Sequence, residues 1–567
     1  MSSRIVTHHS QKKSFKIKHV NVGWPKNRTR TCKKCNSHIS FQYVSAIRLV
    51  FTLVGILAVR FNYYACDNEE CPFHVPFTVP NDIVLPNKKF GRDVWENVIR
   101  HMTEVHGNFS AVAKGIKIDF KIKISASTIG HMWRTYLVLN STIADAKTAC
   151  AIKQRGKILL AVDGQRPQEG RPSLWYFIDV ACNMVLHAVL LTCADADTLG
   201  TIFTTIEQKY AVPIIAVVSD HQGSIVNAVK EYLPSAVHQA CHFHFLSNLH
   251  NPMEAIDSHL QATLKHGVNS LYISKASTKT APRYSDGHRE PVKTAFAPIM
   301  DDLKMVISNN RKKFDTWAGT TSFKNMDEYV QQLTGLLATM VNGSRESIIL
   351  SKTIEALVNV LAKARPSLDK LQELIPRFDQ LRAILGTTAN MSSNGMRTTA
   401  MEWVQEQRWW LHEHGVDVID NDLRVVLLNH EASAEEIVTL WIALFNSHEP
   451  GLFHFLEVPG LPRSNAGMEQ EFSVENSTFR QRTGKGSVGS SVRVYGDATL
   501  RLQKTYTNTK IQDVLNTYAR ETTRDGMNVF KQRRAEERKW WKSAKKVLGG
   551  IEKFKKGFGL KNAGGDA

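Results

Sequence analysis

What the chain lacks bounds it first. No apolar run approaches the roughly 20 residues that a membrane-crossing helix needs; the longest, Leu49–Val59, spans 11 residues between Arg48 and Arg60. The first 35 residues hold no apolar stretch of the kind that forms a secretory leader. Cysteine is scarce, with eight in 567 residues and four of them between Cys32 and Cys71, which argues against a disulfide scaffold. A reducing interior is therefore expected, cytoplasmic and nucleoid-associated in a prokaryote or nuclear in a eukaryote, and neither secretion nor a membrane partner is. Acidic residues are missing from one end: Met1–Cys35 carries ten Lys or Arg and no Asp or Glu, and the first acid is Asp67.

What is present is ordinary globular composition, 43% hydrophobic and 22% charged, over a length that fits about three to four domains of roughly 150 residues. Lys and Arg number 72 against 53 Asp and Glu, a formal charge of +19. Such an excess favours a polyanionic partner, because basic side chains displace counterions from phosphate backbones. A second basic block, Lys531–Lys561, is interleaved with Trp540, Trp541, Phe554 and Phe558. Basic ends on a globular middle read as arms along nucleic acid, or as solvated tails.

Residues 1–80 pair Cys32 and Cys35 with Cys66 and Cys71, about 30 residues on. That is the spacing of a zinc ribbon, in which four thiolates on a structural Zn²⁺ supply folding energy that a short module cannot draw from its core. The four-residue spacer of the second pair leaves His74 as an alternative ligand. Between the pairs, Arg48–Leu53 and Ile56–Tyr63 are β-rich and hinged at Gly55, as in a hairpin. Residues 85–150 read as helical. Asp93 is placed to cap a helix with Trp95, Val98, Ile99, Met102 and Val105 on one face, Gly107-Asn108 breaks it, and Ser125 or Ser127 starts another through Leu137 bearing His131 and Arg134. A helix, a turn and a polar-faced helix are compatible with helix-turn-helix reading of DNA or with a small helical linker.

From Gly156 the pattern turns to strands. Ile158–Val162 is apolar and ends at Asp163. Leu174–Cys182 and Met184–Cys193 alternate as an antiparallel pair turning at Asn183. A helix over Asp195–Tyr210, a strand from Pro213 to Ser219 ending at Asp220, a helix over Ser224–Leu233 and a short strand in Ala236–Cys241 follow. This order is that of a ribonuclease-H-like core: α/β, with a mixed five-stranded sheet. Leu246–Leu456 lacks strand signals and reads as a large all-α insertion containing Trp317, Trp403, Trp409, Trp410 and Trp441. The tryptophans at 403, 409 and 410 are expected to pack the insertion, with stacking on an unpaired base the alternative.

Transfer of a phosphodiester needs both the attacking and the leaving oxygen stabilised, and carboxylates are the hard ligands that hold divalent cations for that task. Asp163 and Asp220 lie 57 residues apart, at the ends of strands that neighbour one another in such a core. Either alone would read as a turn or cap residue. Asp179, Asp195 and Asp197 are read as structural.

Ala161-Val162-Asp163-Gly164 and Val218-Ser219-Asp220-His221-Gln222-Gly223 resemble the first two acid motifs of DDE transposases, in particular Mutator-like elements and related prokaryotic insertion-sequence enzymes. The Cys-x-x-His of that family is matched by Cys241 and His244, with His242 an alternative. Its third acid motif resembles Ser464-Asn465-Ala466-Gly467-Met468-Glu469, where Ser464 and Ala466 depart from the commoner Thr and Asn, and Glu471 is the neighbouring acid. The resemblance, which runs from about Cys32 to Gly486, implies a catalytic triad of Asp163, Asp220 and Glu469 on two Mg²⁺ or Mn²⁺ ions. Cys241, His244 and Asn465 would support them, and the 249 residues between the last two acids would hold the helical insertion. It further implies cleavage at the ends of a mobile element, then attack of the freed 3′-hydroxyl on target DNA. The partners would be double-stranded terminal repeats and target DNA, engaged by a homo-oligomer. The alternatives are a DNA-binding protein descended from a transposase that has lost chemistry, and a host nuclease of the same fold. The expected organisation is residues 1–80, basic arm and zinc module; 85–150, helical DNA-binding segment; 155–245, first part of the core; 246–456, insertion; 457–510, core completion; and 511–567, basic helix or tail.

Overall fold

A computed structural model describes residues 17–25, 29–165, 172–270, 317–386, 392–416, 429–465, 489–506 and 509–536, with a few single positions excepted and a few short pieces besides. The chain forms two compact units, residues 1–214 with 467–567, and residues 215–466.

In the first unit, β1 (Lys18–Val22), β2 (Ile39–Val44), β3 (Arg48–Thr52), β4 (Gly55–Cys66) and β5 (Phe77–Thr78) make a mixed five-stranded sheet. The hairpin expected around Gly55 is there: β3 pairs antiparallel with β4 from Thr52↔Gly55 to Arg48↔Val59. Gly55 turns the chain at φ 138°, a conformation that a Cβ would oppose. β2 extends the same pairing along β4 after a register shift between Phe41 and Tyr43, so the hairpin is longer than its apolar run. Val50, Val59, Phe61, Tyr64 and Val84 form a small core around the cysteines.

Three helices follow, α1 (Arg92–Thr103), α2 (Phe109–Phe120) and α3 (Ala126–Arg155). Trp95, Val98, Ile99 and Met102 are buried as their spacing requires, but Val105 falls beyond the end of α1 and is 67% exposed. Asp93 is not the cap, which is Gly91. Its carboxylate sits in the first turn and accepts from Leu53 N at 2.7 Å, fastening α1 to the hairpin. Asn108 caps α2, a helix the periodicity had not separated, and accepts from Ala111 N at 2.8 Å. Ser125 caps α3, whose carbonyl end is closed by Gly156 at φ 70°. This helix passes Leu137 by five turns and is buried almost all round between Ile129 and Asn140, so it is a core helix and not a polar-faced one.

The next elements are β6 (Ile158–Gln165), β7 (Ser173–Asp179), β8 (Met184–Leu191) and α4 (Ala196–Tyr210). β6, β7 and β8 are an antiparallel meander turning at Asn183, which takes φ 49°. Asp179 is fully buried and structural: it accepts from Arg155 Nη2 at 2.5 Å and Cys182 N at 2.8 Å. Asp195 caps α4 by accepting from Thr198 N at 2.8 Å, and Asp197 lies in its first turn. Ile158 N donates to Pro213 O at 2.9 Å, so β6 begins beside the entry to β9 (Ile214–Ser219).

The second unit continues with α5 (Gly223–Tyr232), β10 (Val237–Ala240), parallel to β9, and the helices α6 (His242–Ser270), α7 (Ala318–Thr339), α8 (Arg345–Gly386), α9 (Ser393–Glu413) and α10 (Ala434–Leu452). In the second unit β10 pairs parallel with β9 from Val237↔Ala216 to Ala240↔Ser219, and in the first β7 lies between β6 and β8. The described residues between β10 and Leu456 contain no strand, as expected of the insertion. Their core is built from one side of each helix, including Leu249, Leu260, Leu371 and Phe378. Asp257, buried in α6, caps α7 by accepting from Gly319 N and Thr320 N at 2.9 Å each. Trp403 and Trp441 pack in the core with ring centroids 6.3 Å apart, and the Trp410 ring lies 4.5 Å from the Arg377 guanidinium. Trp409 departs from the expected packing: it is 65% exposed, because adjacent helical residues lie about 100° apart and Trp410 takes the inward side.

Back in the first unit, α11 (Gly489–Tyr495), α12 (Ala498–Tyr506) and α13 (Ile511–Asn516) close the described chain with a helical stretch over residues 523–536. Arg501 of α12 is buried, donates to Val185 O at 3.0 Å and Leu186 O at 3.2 Å, and pairs with Asp145 of α3 at 2.9 Å.

Candidate metal centre and carboxylate site

The four cysteines singled out in the sequence converge. One sulfur from each of Cys32, Cys35, Cys66 and Cys71 lies within 4.8 Å of every other, and the closest approaches are 3.6 Å for Cys32–Cys71 and 3.4 Å for Cys35–Cys66. Those separations exclude disulfides, whose sulfurs lie about 2.05 Å apart. They fit four thiolates around one tetrahedral ion, where Zn–S bonds of about 2.3 Å put the sulfurs roughly 3.8 Å apart. Local backbone builds the site. Cys32 N donates to Ser37 O and Asn36 N to Cys32 O, wrapping the first pair, while β4 ends at Cys66 and a turn carries Cys71 back. Asn36 takes φ 57° in the first knuckle. Ser37 pulls the Cys35 thiol down to about 6 and burial pushes that of Cys66 up to about 12, so one thiolate forms readily and the set needs a cation to complete deprotonation. His74 is not part of the cluster; its Nδ1 lies 3.0 Å from Cys66 O.

Asp163 belongs to the first unit. It is 5% exposed and lies inside β6, which continues two residues further to Gln165 instead of ending at the acid. Gly164 follows because Trp175 lies across it; a Cβ there would meet the indole at 2.8 Å. The indole is held by its Nε1 donating to Ser173 Oγ at 2.9 Å.

Asp220 belongs to the second unit and directly follows β9. Its Oδ1 accepts from Gln222 N at 3.1 Å, opening the turn into α5. His221 then takes φ 62°, a left-handed conformation costing a side-chain-bearing residue about 1–2 kcal/mol. That backbone turns its ring between His238, with centroids 5.3 Å apart, and His448, 4.5 Å apart. Burial lowers the ring of His221 to about 4 and that of His238 to about 3, so both are neutral at pH 7. Ser219 Oγ lies 2.8 Å from His238 Nε2 and fixes that ring. His221, His238 and His454 border a cavity of about 480 Å³ with Lys230, Pro450 and Gly451. Sequence reading missed this histidine group, because His448 and His454 are brought there by α10 and the turn after it, with no motif to mark them.

Cys241 is buried, its N donates to Ser219 O at 2.7 Å, and its sulfur accepts from Asn465 N at 3.4 Å. Its neighbour His242 donates from N to Arg463 O at 3.0 Å, and its Nε2 lies 2.7 Å from Leu452 O. Two successive residues after β10 thus hold the returning chain at Arg463 and Asn465 beside the residue preceding Asp220. Asn465 is 3% exposed. His244 is half-buried, edge-on to Phe243 at 5.8 Å. Glu469, the alternative Glu471, most of the downstream residues to Gly486, the first 16 residues, and Trp540, Trp541, Phe554 and Phe558 lie outside the described residues.

In comparisons with known proteins, no family model and no curated protein matched the chain. No described helix is long and apolar enough to cross a membrane.

Proposed function

We propose that this chain is a DNA transposase, a metal-dependent polynucleotidyl transferase with a ribonuclease-H-like core, in which Asp163, Asp220 and Glu469 hold two divalent cations. One observation carries the reading. The segment that leads into Glu469 is pinned at Asn465 to Cys241, and Cys241 is itself hydrogen-bonded to the residue before Asp220. Four residues of extended chain span at most about 14 Å, so a third acid four residues beyond Asn465 is compatible with a shared site, and this supports the reading. The chemistry of the donor set adds to it: one carboxylate inside a strand, one directly after a strand and one beyond a helical insertion are the oxygen ligands that Mg²⁺ or Mn²⁺ prefers.

Bound cations would stabilise the charge that develops on the attacking and leaving oxygens of an in-line displacement. The chain's own residues do the rest. Cys241 and His242 hold the chain that leads to the third acid, the turn into α5 orients the Asp220 carboxylate through Gln222 N, and the zinc module and basic ends grip DNA. Element ends and target DNA are the substrates, in a homo-oligomeric complex.

Purified chain with Mg²⁺ or Mn²⁺ is expected to nick DNA carrying the element's terminal repeats and to join the new 3′ end to target DNA. Asp163→Asn and Glu469→Gln proteins are expected to bind those ends with unchanged affinity and to cut them at least about 10³-fold more slowly, by analogy with loss of one group that stabilises transition-state charge. Full cleavage by either variant would refute the assignment. Hydrolysis without any joined product would point to the nuclease alternative.

A further inference from the structure

We infer that Lys88, His131, Arg134, Arg520 and Lys531, all in the first unit, form a binding site for a backbone phosphate of duplex DNA. The inference rests on the transposase reading and assigns part of its DNA contact to particular side chains.

The site is assembled from three stretches of chain that are far apart in sequence, residues 88–95, 131–134 and 518–531. Lys88 lies between the hairpin and α1, and its carbonyl is held by Arg48 Nη2. Its ammonium sits between two rings, 5.9 Å from the centroid of Trp95 on α1 and 5.4 Å from that of Tyr518 beyond α13. The same nitrogen lies 3.1 Å from His131 Nε2 on α3. An ammonium can only donate, so His131 is the acceptor and is neutral in this arrangement. Arg134 stands three residues further along α3, on the same side.

The electrostatics are one-sided. Burial lowers Lys88, and Arg520 lowers it further; burial lowers His131, followed by Lys88, Arg134 and Lys531. Among the described residues, the charges acting most strongly on this pair are positive. A half-buried lysine ordinarily finds a carboxylate, and this chain has Glu96 and Glu104 nearby in sequence, but they are engaged with Arg100, Gln512 and Tyr506. The aromatic faces hold Lys88 in place without neutralising it. Lys88, His131 and Arg134 are half-buried, with Arg520 and Lys531 exposed; like charges so placed favour an anion, and a phosphodiester, with a single charge and several acceptor oxygens, matches a lysine, an arginine fork and an imidazole.

The test uses the full-length Asp163→Asn chain, so that cleavage plays no part, with a random-sequence duplex followed by fluorescence anisotropy across a salt series. Lys88→Met keeps the stem between Trp95 and Tyr518, and Arg134→Gln keeps a donor. Each is expected to weaken duplex binding roughly tenfold near 0.15 M salt, and to reduce the slope of log affinity against log salt by about one. Lys352→Ala, an exposed change on α8, is the control and is expected to leave both unchanged. Circular dichroism melts establish that the variants fold. In a second arm, the ¹³C-labelled ring of His131 is titrated with inorganic phosphate, which is expected to raise its midpoint.

Wild-type affinity and slope in both variants would overturn the inference. A phosphate response at His131 combined with unchanged duplex binding would also overturn it, and would assign the site to free phosphate. Tighter binding of an RNA of the same length would overturn the choice of partner. Failure of the unsubstituted chain to bind any duplex would instead count against the transposase reading itself.

Discussion

Replacing Cys71 by serine separates a metal-held N-terminal module from one held by packing alone. The residue is buried, its sulfur lies 3.6 Å from that of Cys32, and its carbonyl accepts from His74 N at 2.8 Å, so serine keeps the turn and removes one thiolate. Structural zinc binding by four ligands contributes about 10–16 kcal/mol at neutral pH. A quarter of the middle of that range is about 3 kcal/mol, or roughly 100-fold in affinity at 1.4 kcal/mol per decade. The core beside the site is small, built around Val50, Val59, Phe61 and Tyr64, and has little apolar surface with which to compensate. The assay is competition for zinc with a chromophoric chelator, read together with proteolysis across residues 39–66. Wild-type chain is expected to hold one zinc. Cys71→Ser is expected to release it at roughly 100-fold lower chelator and to expose the hairpin to protease, while His74→Ala retains the metal. Purified wild-type chain without stoichiometric zinc, or Cys71→Ser with unchanged chelator resistance, would refute the four-cysteine centre.

Three further outcomes are expected. Gly319→Ala places a Cβ 2.1 Å from the carbonyl oxygen of Asp257, against backbone that cannot yield cheaply, and should lower stability in urea by at least about 2 kcal/mol; an unchanged midpoint would show that α6 and α7 are not packed this closely. Trp403→Ala should cost about 3–5 kcal/mol because the indole is buried and donates to Arg377 O, whereas Trp409→Ala, two-thirds exposed, should fall within about 0.5 kcal/mol, and equal effects would mean that the wrong tryptophan has been assigned to the core. Burial alone would raise the Asp145 carboxyl, but Lys209, Arg501 and Tyr210 outweigh it and hold it below the ordinary value. Its stabilising contribution is then complete above about pH 4, where the unfolded carboxyl ionises, and is lost as pH falls through the lower folded value. Asp145→Asn should be destabilised at pH 7, and the gap to wild type should close in acid; a gap independent of pH would exclude the Asp145–Arg501 pair as its source.

Much of this architecture was legible in local sequence because it depends on local physics. The hairpin at Gly55, the turn at Asn183, the cap at Asp195 and the strand–helix order from Ile158 to Ala240 follow from alternation, turn residues and caps, each of which acts over a few positions. The pairing of Cys32 and Cys35 with Cys66 and Cys71 was readable for a similar reason, since thiolate spacing is set by the knuckle that carries it. Errors arose where packing overrode such signals. α3 reads as polar-faced through His131 and Arg134, yet the helices around it bury nearly every side, and Asp93, a good cap by type, serves to hold Leu53.

Only the tertiary structure decided what comes together from a distance. The stack of His221 on His238 and His448, the hold of Cys241 on Asn465, and the gathering of Lys88, His131 and Arg520 each join residues whose separation along the chain leaves no periodic trace. Periodicity reports the side of an element that faces inward, whereas a site depends on which elements meet, and that is fixed by the packing of whole helices and strands against one another.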